Sequence, residues 1–415
     1  MKFEDYSISP IIKENLEKQG FRRPTDIQFK AISPILKGED VLAIAQTGTG
    51  KTAAFAIPII HKILEKRYGK NSAQVKCLVM VPTHELAQQI TDVFKNIGKN
   101  TKLKFLGIIG GVDQEPQIQT LKKGVDVLVA TPGRLFDLSS QRHLKLDKLE
   151  ILVLDEADHM LDLGFIKDIN DLIKLLPRKR QTLFFSATIN NKIKKLAYSL
   201  VRNPIRIQIS PKNPVAKNIE HSVAFIEMDD KRAFLERLVD ENPDSKILVF
   251  VRTKVRAERV KKAMERVEIV GETIHSDKTQ DERTKTLDNF KKGNLKLLIA
   301  TDVSARGIDI PNVDFVVNYD LPEVSANYVH RVGRTGRGKQ KGQAVSFCST
   351  EEKSILEEIE TYLDKEITVL EIDKQTYRET LDFTKDTNYN WKKLLKEDER
   401  GQREFQQTKK RKKKK

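Results

Sequence analysis

The sequence predicts an α/β fold: two tandem parallel sheets, each clad in helices, with a short basic tail behind them. Three observations carry this. Short apolar runs recur nine times, helix-period segments separate them, and one proline-bearing stretch interrupts the series. Continuous apolar runs, rather than alternation, mark strands buried on both faces, as in parallel sheets. Strands alternating with helices imply βαβ units.

In chain order, the runs Val41–Ala45, Cys77–Val81, Val125–Ala130, Ile151–Leu154 and Thr182–Phe185 form a first block. Ile247–Val251, Leu295–Ala300, Phe315–Val317 and Ala344–Phe347 form a second. Thr52–Leu64, Glu85–Ile97, Lys254–Val267 and Gln280–Lys291 read as amphipathic helices between them. Residues 210–218, SPKNPVAKN, have no apolar periodicity and read as a linker. The expected units are therefore 1–209, a linker at 210–217, 218–374, and a tail at 375–415. That tail is too short for an independent core. It is expected to be mostly disordered, with at most a short helix around Trp391–Leu395.

The chain has 415 residues, with 75 Lys and Arg against 59 Asp and Glu, a formal charge of +16. Seven of those charges are the last seven residues, Lys409 to Lys415. Nucleic acid is the partner this balance suggests first. Only Cys77 and Cys348 occur, each inside an apolar run. This excludes a disulfide framework and a cysteine zinc site, and suits a reducing, cytoplasmic setting. The N-terminus, MKFEDYSISP, has no apolar segment of a signal peptide, and no run is long enough to span a bilayer.

Polar residues follow the strands. QTGTGKT follows Val41–Ala45, DEAD follows Leu154, SAT follows Phe185 and TD follows Ala300. Ligands bind outside the carboxyl ends of strands in open α/β sheets, so each block presents one functional edge. In Ala45–Thr52, AQTGTGKT, Gly48 and Gly50 permit tight turns, so that backbone N–H groups cradle phosphates at a helix N-terminus. Lys51 supplies a point charge and the Thr52 hydroxyl a Mg²⁺ ligand. The strict pattern begins with Gly, here Ala45; a plain glycine-rich turn is the competing reading. In ILVLDEAD, Asp155 is placed to hold Mg²⁺ through water and Glu156 to orient and deprotonate an attacking water. Asp158 is placed to pair with another motif. A solvated helix N-terminus would also favour such acids. In HRVGRTGR, glycines at 333 and 336 disfavour a merely exposed basic helix. Arg334 and Arg337 can reach a γ-phosphate only if the two blocks close.

Together these segments resemble the DEAD-box family of RNA helicases, from Phe3 to about Glu371, nearest to minimal bacterial RhlE-like members. An upstream Phe3 with GFRRPTDIQ at 20–28 resembles the adenine-reading motif, and AQTGTGKT with Ala first is the family's normal form. PTHELA at 82–87, Gly110-Gly111, TPGR at 131–134, SAT at 186–188, VFVRT at 249–253, QDER at 280–283, ATDVSARGIDI at 300–310 and YVHRVGRTGR at 328–337 follow in the family's order.

The resemblance implies two RecA-like domains, ATP and Mg²⁺ at their cleft, and RNA across both. It implies an RNA-dependent ATPase that separates short duplexes locally, acting as a monomer alongside ribonucleoprotein or RNA-decay partners. Phe3, Phe21, Thr25 and Gln28 would read adenine. Ala45, Gln46, Thr47, Gly48, Thr49, Gly50, Lys51, Thr52 and Asp309 would hold the nucleotide, and Arg334 and Arg337 would act on its phosphates. Asp158, Ser186, Thr188 and His330 would couple the domains. Pro82, Thr83, Gly111, Thr131, Gly133, Arg134, Arg252, Arg283 and Thr301 would hold RNA backbone. His84 departs from the Arg usual at its position, and a neutral imidazole grips phosphate less well than a guanidinium.

Other readings remain open. A related DNA helicase would share the phosphate loop but need neither GFRRPTDIQ nor TPGR. An ATP-gated RNA clamp would alter Glu156, Ser186 or Arg337. A basic RNA chaperone would work through the tail alone.

Overall fold

Val41, Ala43 and Ala45 of the first strand enter one apolar core and Leu42 and Ile44 another, so both faces of this strand are covered. The computed structural model describes residues 2–46, 48–66, 74–189, 191–209, 215, 218–302, 313–336 and 341–384.

Two seven-stranded sheets result, and every strand pair in them is parallel. The first contains β1 (Val41–Ala45), β2 (Cys77–Met80), β3 (Phe105–Ile108), β4 (Val127–Ala130), β5 (Ile151–Leu154), β6 (Gln181–Ser186) and β7 (Ile205–Ile209). Their order is β3-β4-β2-β5-β6-β1-β7. The second contains β8 (Ile219–Phe225), β9 (Ile247–Val251), β10 (Gly271–Ile274), β11 (Leu297–Thr301), β12 (Phe315–Asn318), β13 (Gly342–Cys348) and β14 (Thr368–Val369). Their order is β10-β11-β9-β12-β13-β8-β14. These are two tandem RecA-like units.

In the first unit the helices are α1 (Pro10–Lys18), α2 (Asp26–Leu36), α3 (Lys51–Glu65), α4 (His84–Ile97), α5 (Glu115–Lys122), α6 (Pro132–Ser140), α7 (Ala157–Asp162), α8 (Ile166–Leu175) and α9 (Asn191–Leu200). In the second, the described helices are α10 (Lys231–Glu241), α11 (Lys254–Arg266), α12 (Gln280–Lys292), α13 (Ser325–Val332), α14 (Lys353–Leu363) and α15 (Lys374–Phe383).

Nine strands were expected and fourteen are found among the described residues. The additions are β3, β7, β8, β10 and β14. β7 reads IRIQI, a polar-alternating edge whose outward residues are exposed, and GETI in β10 is too short and polar to register as an apolar run.

α15 (Lys374–Phe383) lies at the start of the segment expected as a tail. It docks by polar contacts instead of an apolar stripe. Tyr377 Oη donates to Asp230 (2.7 Å), Arg237 donates to Thr380 Oγ1 (2.7 Å), and the Tyr377 ring meets Phe234 at 4.9 Å. The expected helix at Trp391–Leu395 and the terminal lysines lie outside the described residues. Of the expected linker only Val215 is described, and it is buried in the second unit's core.

Candidate nucleotide and nucleic-acid site

The phosphate loop hangs between β1 and α3. Gly48 and Gly50 adopt φ of +81° and +92°, in the region that β-carbons disfavour. A Cβ on Gly50 would also lie 2.5 Å from Gln28 Nε2. Thr49 Oγ1 donates to the Gln46 carbonyl at 2.7 Å, which tightens the turn. The first N–H groups of α3 have no intrahelical acceptor and face this loop. Lys51 is 6% exposed, and its Nζ has no hydrogen-bond partner among the described residues. A buried ammonium without a bonded acceptor is costly, so this cradle suits an anion such as a phosphate. Thr52 is half-buried beside it, and Thr47 lies outside the described residues.

On the adenine side, Phe3 and Phe21 meet edge-on with centroids 6.0 Å apart. Gln28 is buried and already busy: its Oε1 accepts the Thr25 N–H (3.0 Å) and its Nε2 donates to the Gly50 carbonyl (3.2 Å). Thr25 and Gln28 thus form a capping box on α2. The amide ties that helix start to the phosphate loop, and one further N–H and lone pair remain on it.

The acid turn follows β5. Glu156 sits at φ 50°, ψ 48°, a left-handed conformation uncommon for a residue with a side chain. Asp155 Oδ1 accepts the Glu156 N–H at 2.9 Å. Both carboxylates are buried, yet their acidities are driven apart. Burial, with help from neighbouring acids, raises Asp155 to about 6 against the pull of Lys51. Burial also acts to raise Glu156, but the His159 hydrogen bond and the charges of Lys51, His159 and Arg334 together lower it to about 2. Held ionised in this way, the Glu156 carboxylate is suited to orienting a water. His159, whose Nδ1 lies 3.5 Å from Glu156 Oε2, was missed by the sequence reading. Its i,i+3 spacing from Glu156 was the available signal.

Asp158 Oδ2 accepts from Ala187 N (3.2 Å), Thr188 N (3.0 Å) and Thr188 Oγ1 (3.1 Å). Ser186 Oγ donates to the Thr188 carbonyl at 2.8 Å. Asp158, Ser186 and Thr188 thus form one hydrogen-bonded group inside the first unit. Across the cleft, partial burial and then the Asp158 charge raise the Tyr362 phenol.

In the second unit, Arg331 is the fully buried arginine of the run. Its Nε and Nη2 clamp Asp302 (2.5 and 2.9 Å), and its Nη1 donates to the Asp320 carbonyl at 2.6 Å. Arg334, also buried, donates through Nε to the His330 carbonyl (3.1 Å), and its charge reaches Glu156 of the first unit. Gly336 has φ +63°, and a Cβ there would lie 2.5 Å from Ile219. Arg337 and Asp309 lie outside the described residues, and His330 is half-buried.

The expected RNA edge begins at β2 and β4, which are neighbours. Thr83 and Thr131 are the N-caps of α4 and α6, so two helix starts with Pro82 and Gly133 face one side. Arg134 Nη2 donates to the Val112 carbonyl (2.7 Å), holding the Gly111 loop, while its buried Nη1 has no partner among the described residues. Thr301 ends β11. Arg252 reaches Glu352 Oε1 through Nη2 at 3.2 Å.

Arg283 is used differently from the expectation. Its Nε and Nη2 both lie 2.7 Å from Glu85 Oε1 in the other unit. His84 Nδ1 donates to Gln280 Oε1 at 3.0 Å in the same seam. PTHELA and QDER therefore meet each other, and Glu85 and Gln280 are contact residues that the sequence reading did not single out. No group of three or more potential metal ligands occurs among the described residues.

Comparison with known proteins agrees with this architecture. Residues 25–196 match the DEAD/DEAH box helicase family and residues 230–339 the helicase conserved C-terminal domain. The chain is 40% identical over 370 residues to the ATP-dependent RNA helicase CshA of Listeria monocytogenes, covering 89% of this chain and 70% of that one. It is 39% identical over 375 residues to the DEAD-box ATP-dependent RNA helicase RhpA of Helicobacter pylori, covering 89% and 74%. These relatives support the family without singling out an RhlE-like subgroup. The fold superposes on S. cerevisiae Dbp5 bound to RNA and ADP BeF3 with a TM-score of 0.81, at 30% identity over 92% of this chain and 99% of that one. With a DEAD box protein from Methanococcus jannaschii the TM-score is 0.51, at 35% identity over 89% and 99%. With its phosphate loop, acid turn and arginine run gathered at the seam of two RecA-like units, the chain belongs to the DEAD-box family of ATP-dependent RNA helicases.

Proposed function

We propose that this ATP-dependent RNA helicase separates short duplexes locally, gripping RNA backbone across both units, and hydrolyses ATP for release and recycling. The observation that carries the reading is the convergence of Lys51, Glu156 and Arg334, two from one unit and one from the other. Hydrolysis would then depend on closure. The high superposition on an RNA- and nucleotide-bound relative supports reading this arrangement as the closed one.

In this reading Phe21 and Gln28 face adenine, with Phe3 packed behind. The loop from Ala45 to Thr52 cradles the phosphates, and Lys51 neutralises them. Mg²⁺, which would neutralise phosphate charge when bound, would be held by Thr52 and, through water, by Asp155. Glu156 orients the attacking water. Arg334 and Arg337 stabilise charge on the transferred group, and Asp309 helps seat the nucleotide. Thr83, Thr131 and Arg134 of the first unit, with Arg252 and Thr301 of the second, contact phosphates and sugars and carry no sequence information. Arg283 acts through the seam. The cytoplasmic setting and the RhlE-like affinity belong to this proposal; two free buried cysteines support the former.

Unwinding of matched RNA and DNA duplexes tests it. ATP-dependent separation of the RNA duplex, absent with DNA and absent without ATP, is expected. Equal activity on DNA would favour a DNA helicase, and binding without turnover an RNA clamp.

A further inference from the structure

The two units differ in charge. Residues 1–209 contain 33 Lys and Arg against 22 Asp and Glu, whereas residues 218–374 contain 26 against 30. Much of the excess lies along the side where the chain enters the strands of the first sheet, opposite the phosphate loop and acid turn. Lys104, Lys123, Lys148, Lys179, Lys37 and Arg202 are exposed and sit just before β3, β4, β5, β6, β1 and β7 respectively. The remaining strand, β2, is entered from Lys76. With strands about 4.8 Å apart, the row is roughly 29 Å long.

Three carboxylates of this edge are engaged by neighbours, while Glu39 and Asp147 are exposed beside the cations. Asp40 accepts the backbone N–H of Thr182 and of Arg202, each at 2.7 Å; Asp126 accepts that of Lys104 at 2.8 Å; Glu150 pairs with Lys66 at 2.9 Å. Among the described residues, Lys37, Lys123, Lys148, Lys179 and Arg202 make no ion pair. Like charges stay close: burial and then the Arg202 charge lower the pKa of Arg180. Helix dipoles account for Lys37 and Lys123, which are C-cap residues. They do not account for Lys104, Lys148 and Lys179, which lie in loops past the helix ends.

We propose that this strand-entry edge is a second RNA-backbone surface, taking the stretch of RNA that extends beyond the segment held at the cleft. It rests on the RNA reading above. A strand already gripped at one edge of the unit is present at high effective concentration at the other. A row of cations, five of them without an ion pair among the described residues, binds it through counterion release, whatever its sequence.

The test uses the full chain carrying Lys148→Glu, Lys179→Glu and Arg202→Glu together. It is measured with a strand just long enough to fill the cleft and with one several times longer. With the short strand, ATP turnover and the half-stimulating RNA concentration should match the parent. With the long strand, affinity should fall about tenfold or more, and the salt slope by about 2 if three single-strand phosphate contacts are lost. The triple Gln variant should show a smaller loss in the same direction, which guards against misfolding of the reversal. Unchanged long-strand affinity and slope in both variants would overturn the proposal. So would a loss confined to binding of phosphatidylserine vesicles. Failure of the short strand to stimulate the parent would instead overturn the cleft reading.

Discussion

The Arg283 guanidinium and the Glu85 carboxylate meet at 2.7 Å, one from each RecA-like unit and both largely buried. Beside them His84 and Gln280 share a hydrogen bond. A seam of this kind fastens one half to the other without touching the phosphate loop.

Breaking that pair should weaken closure while leaving each unit folded. Arg283→Glu or Glu85→Arg alone should raise the RNA concentration needed for half-maximal ATP turnover. The double exchange should recover part of the loss, with a coupling of about 0.5–3 kcal/mol in a double-mutant cycle. Strictly additive losses would show that the pair does not act as a unit.

Glu156→Gln should keep RNA and ATP binding but slow RNA-stimulated hydrolysis by about 10²–10⁴-fold. Single-turnover hydrolysis is the measurement. A near-parental rate would remove Glu156 from the role of orienting water.

Gly50→Ala should be more damaging than its size suggests, since the new methyl meets Gln28 Nε2 at 2.5 Å and the backbone sits at φ +92°. Nucleotide affinity should fall, and the melting temperature with it, since strain and contact both act on the folded loop. Gln28→Ala should erode the preference for ATP over GTP and also loosen the N-terminus of α2, because the amide braces Thr25. Lost capping typically costs about 1 kcal/mol. An unaltered preference alongside reduced stability would assign Gln28 to bracing alone.

Glu352 is buried beneath Arg252, accepting from Arg252 Nη2, the Leu321 N–H (3.1 Å) and Lys231 Nζ. Glu352→Gln should therefore mislay the Arg252 guanidinium, raising the half-stimulating RNA concentration with ATP turnover at saturation nearly unchanged. A fall in saturated turnover with unchanged RNA affinity would argue against a positioning role.

Much of this was legible in the residues. β1 and β5 announced themselves as four or five consecutive apolar residues before polar motifs, and α3, α4, α11 and α12 as helix-period segments of near-correct length. Edge strands such as β7 and β10 did not, because one side of an edge needs no apolar cover. The partnership of Arg283 with Glu85 spans 198 residues and depends on how two folded bodies dock, which no local pattern encodes. Arg331 shared its spacing with Arg334, and only burial against Asp302 distinguishes a structural guanidinium from one aimed at the cleft.

The strand order has a consequence for the moment of synthesis. β1 pairs only with β6 and β7, never with the strands that follow it directly. The phosphate loop at its end therefore lacks its flanking sheet until residue 209 has been made, over 160 residues later. At about 5–20 residues per second, that leaves an interval of roughly 8–30 s in which a growing chain already carries the loop's glycines without the framework that shapes them. A nascent first unit should thus gain the ability to hold nucleotide late and abruptly, once the last strand clears the ribosome.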